Sequence, residues 1–362
     1  MKKILINCTY FLPNISGLTI YVARLRRRSL ANNFDVRVIT SKHNLSTNHK
    51  HVTRIGGIPL GKFFFMPFFS IVSLKHVFHC DVLNCHLPST ESIWLVLWAK
   101  LFNKKIVTTY HCFFETRSFL VNTVARWIDS LVLGFSDKII VNSFDYAKRI
   151  RIYKRYKNKM VQIYPPIELG QVEKSEYNKI KKLIDRQPGE NIIGFLGRLS
   201  SEKKVEVLLN SIPKLNNRIR KYKIILAGNI DAIGESKYRK KIMDQIKNKR
   251  IIHVGQVERQ INFFKNIDCL VLTSTSKLES FGMVSAEAMI AGVPVITTNI
   301  GGIRIPVRAT RLGQTFKPDD CNDLAKKIEK VLSTKYDEKL FDKAKQIFSI
   351  ENFTREYIKC LE

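Results

Sequence analysis

Two carboxylates stand eight positions apart in TSTSKLESFGMVSAEAMIAG, residues 273–292. The stretch leaves an apolar run, CLVLTS (269–274), that reads as a strand, and after Gly282 its Met, Ala and Glu content favours a helix. A glycine at that turn lets a ligand approach the backbone. The free N–H groups of a first helical turn favour an anion such as a phosphate. Glu279 lies in the loop ahead of the turn and Glu287 lies one to two turns inside the helix. Carboxylate oxygens accept hydrogen bonds from hydroxyls. A ligand with phosphates in its middle and hydroxyls at both ends, such as a nucleotide sugar, suits this pattern. So does a plainer arrangement, with one glutamate capping the helix and the other solvated.

A second strand-to-helix passage, GFLGRLSSEKKVEVLLNSI (194–212), carries Arg198 just after the strand and Lys203 where the next helix opens. Arg holds phosphate oxygens in a fork and Lys adds a point charge. These are two of 61 basic residues, so their position rather than their charge singles them out. A third passage, FLPNISGLTIYVARL (11–25), uses Pro13 and Gly17 to open a loop onto a helix, again an anion-friendly terminus. Neither G-x-G-x-x-G nor G-x-x-x-x-G-K-[ST] occurs, which argues against a nicotinamide dinucleotide fold and a P-loop ATPase. His111 ends KIVTTYH and His86 ends DVLNCH, both at the carboxyl ends of strands, where an imidazole can bond a substrate or move a proton. His76, His79, Cys80, Cys85 and His86 cluster loosely but match no zinc spacing, and no metal is expected.

The elements that must hold these groups follow an α/β rhythm. Apolar runs at 3–7, 35–40, 81–86, 105–111, 138–143 and 161–164 read as buried parallel strands, with helical patterns between several of them. YPPIELG (164–170) interrupts the pattern, and 171–190 is charged without a strand signal. The rhythm restarts at 191 with runs at 222–228, 250–255, 269–274 and 293–298. The expected organisation is a first domain over 1–165, a linker over 166–190, a second domain over 191–347 and an amphipathic terminal helix over 348–362. Parallel sheets bind ligands at the carboxyl ends of their strands. Two doubly wound domains would face each other across a deep cleft.

A chain of 362 residues with 45% apolar content builds cores of that size. Its net charge is +30, and residues 1–165 hold 25 basic against 7 acidic residues, or +18. Such a surface attracts polyanions: nucleic acid, anionic membrane or phosphorylated substrates. Seven cysteines without C-x-x-C suit reduced thiols in a cytoplasmic protein. MKKILINCTY has too short an apolar stretch for a signal peptide, and no apolar run reaches the roughly 18–20 residues that span a bilayer.

Taken together, Ser16-Gly17, TTYH, GRLSSEK, ESFGMVSAE and AGVPVITTNIGG resemble the retaining nucleotide-sugar glycosyltransferases of family four, which have the GT-B fold. The resemblance covers nearly the whole chain. It implies that Arg198 and Lys203 bind the donor diphosphate, Glu287 the ribose hydroxyls and Glu279 the hydroxyls of the transferred sugar. It implies that backbone groups from Phe281 through Gly282 to Met283 line the donor site, that Val257 lies near the base and His111 near the reacting sugar. Gly17 would let the first domain approach the diphosphate, and the terminal helix would cross back onto that domain. Two departures stand out: Ser16-Gly17 where members often have Gly-Gly, and Arg304-Ile305 where Pro-Glu is common.

The resemblance implies a hexosyltransferase, with mannose among the sugars, using a GDP- or UDP-sugar without a metal or other cofactor. Its acceptor would be a lipid-linked or cell-envelope glycan. RLRRR (24–28), KRIRIYKRYKNK (148–159) and FFFMPFFS (63–70) suit a peripheral position on the cytoplasmic face of an anionic membrane. Competing readings are a nucleic-acid-binding protein, for which no module is present, a sugar-nucleotide epimerase on the same fold and a catalytically dead binding subunit.

Overall fold

Apolar runs bounded by turns become parallel strands in a computed structural model of the chain, which describes residues 1–42, 49–60, 63–113, 115–116, 118–230 and 236–362. The chain divides into two units, Met1–Pro166 with Ile350–Glu362, and Ile167–Ser349.

In the first unit, β1 (Lys3–Asn7), β2 (Asp35–Ser41) and β3 (Val52–Ile55) precede a short antiparallel pair, β4 (Ile58–Leu60) and β5 (Phe63–Phe65). They are followed by β6 (Val82–Leu87), β7 (Lys105–Tyr110), β8 (Lys138–Val141) and β9 (Met160–Gln162). The main sheet is wholly parallel in the order β3-β2-β1-β6-β7-β8-β9. Burial on both faces explains why β6, VLNCHL, is buried at every position and reads as a continuous run rather than an alternation. The order reverses between β1 and β6, whose pairing ends at Asn7 opposite Cys85, so His86 and Leu87 run on past the end of β1.

Helices α1 (Gly17–Ala31), α2 (Phe69–Phe78), α3 (Ser92–Leu101) and α4 (Phe119–Phe135) cover this sheet. Ser16 starts α1 with a capping box: its hydroxyl accepts from the Thr19 N–H, and the Thr19 hydroxyl accepts from the Ser16 N–H. The terminal helix Ile350–Leu361 belongs to the same unit, with Phe353, Tyr357, Cys360 and Leu361 buried among Ile4, Ile6, Tyr21 and Val107.

The second unit holds β10 (Asn191–Leu196), β11 (Tyr222–Ala227), β12 (Ile251–His253), β13 (Cys269–Leu272), β14 (Val295–Thr298) and β15 (Gly313–Phe316). Their order is β12-β11-β10-β13-β14-β15, again all parallel. Within the stretch 166–190, expected as a linker, Lys174–Ile184 is a helix of the second unit. The Glu176 carboxylate anchors it by accepting from the Glu258 and Arg259 backbone N–H groups and from the Asn262 amide. Among the described residues no helix is long and apolar enough to cross a membrane.

Candidate functional site

The order of the second sheet reverses between β10 and β13, and the two strands part there. They pair at Ile193–Cys269 and Gly194–Leu270, while β10 stays paired to β11 as far as Leu196–Ala227. The last residues of β10 and β13 therefore splay into a fork, the place where open parallel sheets take ligands. A small recess, open to solvent, lies at the fork and is lined by Gly197, Lys203, Thr273, Ser274, Glu279 and Ile303, among others.

Three loops meet there, and hydrogen bonds tie them. The hydroxyls of Thr273 and Ser274, leaving β13, donate to the carbonyls of Lys203 and Glu202 at 2.8 and 3.0 Å. Thr298 at the end of β14 donates to the Ser274 carbonyl. Gly302 packs so closely over the loop before the Met283–Ile290 helix that a Cβ there would stand 2.8 Å from the Glu279 carbonyl oxygen and 2.9 Å from that of Ser280. This framework sets Lys203 Nζ 2.5 Å from Glu279 Oε2, with both side chains about a quarter exposed. An ammonium has three N–H donors. Lys203 therefore keeps donors for an anion in the fork while Glu279 holds it in place.

The Met283–Ile290 helix starts on Gly282, whose φ of +79° is left-handed and favours glycine. Glu287 is buried in that helix and Met283 is half-buried at its first turn. Phe281 turns its ring inward, edge-on to Phe348 with centroids 5.7 Å apart, so only its backbone is available to a ligand. Arg198 is exposed and paired with Glu202 rather than lining the recess. Val257 is half-buried in the segment after β12 and likewise does not line it. The fork thus gathers Lys203 and Glu279 from the expected set, with Gly282, Met283 and Glu287 on the adjoining helix.

In the first unit, Gly17 is the first residue of α1, and a Cβ on it would meet nothing within 4 Å. His111 follows β7 and is buried. Its Nε2 lies 2.8 Å from Nδ1 of His86, and His86 Nε2 lies 3.0 Å from Asn84 Oδ1. The Tyr357 hydroxyl donates to the same Asn84 oxygen at 2.8 Å. Tyr21 stands edge-on to His111, with centroids 4.6 Å apart. Burial removes water from both imidazoles and disfavours their charged forms. His111 is pushed down to about 3 and His86 well below its ordinary value, the second also by its neighbour His111.

Four participants escape a reading of sequence alone. Asn84 sits in the apolar run of β6, Tyr21 and Tyr357 sit in amphipathic helices, and Ser285 looks like a helix-filling residue. The hydroxyls of Tyr21 and Ser285 are buried without a hydrogen-bond partner among the described residues. Such groups are rare enough in cores to mark a place for water or ligand. Only the strand-end position of His86 and His111 offered a signal.

With this geometry in hand, comparisons with known proteins place the chain. Residues 15–171 match the model described as Glycosyltransferase Family 4, and residues 176–347 match Glycosyl transferases group 1. Each match takes in just under half of the chain and one falls on each unit, and the two parallel sheets have the fold of GT-B glycosyltransferases. Among curated relatives, a Klebsiella pneumoniae protein described as an uncharacterized 41.2 kDa protein in the cps region is 29% identical over 256 residues. That alignment covers 67% of this chain and 66% of the relative. The Staphylococcus aureus capsular polysaccharide biosynthesis glycosyltransferase CapM is 29% identical over 160 residues, 43% of this chain and 40% of CapM. The chain thus spans less than two thirds of the length of either. Among solved structures, Anabaena HepE (Alr3699) in complex with UDP superposes with a TM-score of 0.79 at 18% identity, covering 100% of this chain and 99% of HepE. HepE has also been solved with UDP-glucose. At that identity the likeness speaks for the fold.

Proposed function

We propose that the chain is a retaining, metal-independent hexosyltransferase that moves a hexose, with mannose one candidate, from a GDP- or UDP-sugar to a lipid-linked or cell-envelope glycan. The Lys203–Glu279 pair at the β10/β13 fork carries this reading: a cation for a diphosphate beside a carboxylate for sugar hydroxyls. The UDP and UDP-glucose complexes of HepE and the capsule setting of CapM and the Klebsiella protein support it.

As the bond from the anomeric carbon to the diphosphate loosens, negative charge grows on the leaving oxygens. Lys203 and the N-terminus of the Met283–Ile290 helix stabilise that charge, with Arg198 turning from Glu202 to join them, which is the role of a metal in other transferases. Glu279 accepts from hydroxyls of the sugar and Glu287 from those of the ribose. Phe281, Gly282 and Met283 offer backbone groups, with Val257 assigned to the base and Gly17 to the diphosphate. An acceptor hydroxyl attacks on the face the diphosphate leaves, and the departing phosphate takes its proton. The acceptor places the enzyme on the cytoplasmic face of an anionic membrane.

A thermal-shift panel of GDP-, UDP- and ADP-sugars tests the donor, because a ligand that binds the native state raises its melting temperature. One nucleotide should raise Tm of the wild type, with the shift lost in Glu287→Ala. That nucleotide should then be released at an undiminished rate in EDTA once acceptor is added. No shift with any nucleotide, or release without acceptor, would overturn the transferase reading.

A further inference from the structure

The hydrogen bonds around His111 fix where its proton sits. The Asn84 amide nitrogen donates to the Val107 carbonyl at 3.0 Å and to the Thr109 hydroxyl at 3.3 Å. Turning that amide over would press its oxygen against the Val107 carbonyl, so Oδ1 must face His86 and Tyr357. An amide oxygen only accepts. His86 Nε2 therefore carries a proton, and in the neutral ring Nδ1 is left as a lone pair. That lone pair faces His111 Nε2, which must then be the donor. The two rings are within 20° of coplanar with centroids 5.1 Å apart, the edge-to-edge arrangement of an in-plane N–H···N bond. Any other neutral arrangement sets two lone pairs, or two protons, face to face in a buried site, which costs as much as an unmade hydrogen bond. The burial that opposes an imidazolium at either ring excludes the doubly protonated forms.

We propose that Asn84, acting through His86, locks the His111 proton on Nε2, so that Nδ1 meets the bound substrate as an acceptor for one of its hydroxyls. Nδ1 has no hydrogen bond among the described residues. Asn84 and His86 are positioning residues, and Tyr357 is the means by which the terminal helix holds Asn84 in register. The identity of the substrate rests on the transferase reading, whereas the placement of the proton does not.

Long-range proton–nitrogen correlation spectra of the imidazoles read the tautomer directly in the full chain. The chain has eight histidines, and the His111 signals are those lost in His111→Gln. At neutral pH both His86 and His111 should appear as neutral rings protonated on Nε2. In His86→Leu the His111 proton loses its acceptor, so the ring should spread over both tautomers and kcat should fall about tenfold with KM for the donor little changed. His86→Gln, whose amide oxygen can accept the same proton, should restore the single tautomer and most of kcat. Tyr357→Phe serves as a milder variant should His86→Leu fail to fold, with broadening of the Nε2–H signals expected. A wild-type His111 protonated on Nδ1 or doubly protonated would overturn the proposal, as would a His86→Gln enzyme as slow as His86→Leu. If no acceptor supports transfer, the spectra still decide the proton's place, so the two failures are distinguishable.

Discussion

At Lys203 a cation is held by a carboxylate 76 positions away, in a fork where neither is fully in water. A diphosphate entering that fork gains a charge-assisted bond that is stronger than one on an exposed lysine. Lys203→Met should therefore weaken nucleotide binding by about 10- to 100-fold, the range for a hydrogen bond to a charged group. Isothermal titration with UDP and GDP reads this, and unchanged affinity would take Lys203 out of the site. Lys203→Arg should recover only part of the loss, since a guanidinium fork does not fit a seat shaped for a point charge. Both residues were legible in the sequence because each follows a strand that precedes a helix. Their pairing was not, because chain spacing does not say which strands lie side by side. Asn84 was less legible still: one amide in an apolar strand reads as packing until the neighbouring imidazoles are seen.

The elements around the fork work by close approach. Gly302, with φ at +99°, lies against the carbonyls of Glu279 and Ser280 and fixes the height of the loop that carries the carboxylate. An alanine there meets two backbone oxygens below 3.0 Å as well as an unfavourable φ, and backbone cannot swing aside as a side chain can. Gly302→Ala should lower stability by about 1–3 kcal/mol and loosen the Lys203–Glu279 pair. Urea unfolding with nucleotide titration checks both, and an unperturbed variant would mean the loop is not set by this contact. The strands that build the fork were plain in the sequence, since parallel strands buried on two faces form apolar blocks. The helix Lys174–Ile184 was not recognised, although Tyr177, Ile180 and Ile184 keep helical spacing and Glu173 caps it. Its heavy lysine content made it look like a solvated connection, and its apolar face is too narrow to register beside the strand signals.

On the scale of the whole molecule, charge and apolar surface coincide in the first unit. The segment 63–70, an apolar patch by its sequence, divides: Met66 and Phe69 enter the core while Phe68 faces water. The larger exposed surface comes from three helices packed side by side, α2 against α3 and α3 against α4. Each presents a stripe at helical spacing: Ile71, Leu74 and Phe78; Trp94, Leu97 and Leu101; Leu120, Val124 and Trp127. Lys75, Lys100 and Arg126 stand exposed among them. An apolar face set among cations suits the boundary of an anionic bilayer, where each basic residue adds about 1 kcal/mol and salt weakens the attraction. All three tryptophans of the chain lie on α3 and α4, so its own fluorescence reports on this face. Vesicles containing phosphatidylglycerol should shift the emission to the blue and sediment the protein, and neutral phosphatidylcholine vesicles should do neither. High salt should release the protein. Leu120→Glu with Trp127→Glu should weaken sedimentation at least about tenfold while leaving nucleotide binding intact. A concentration-dependent blue shift without vesicles, matched by a dimer in light scattering, would instead assign the stripes to a second copy of the chain and overturn the membrane reading.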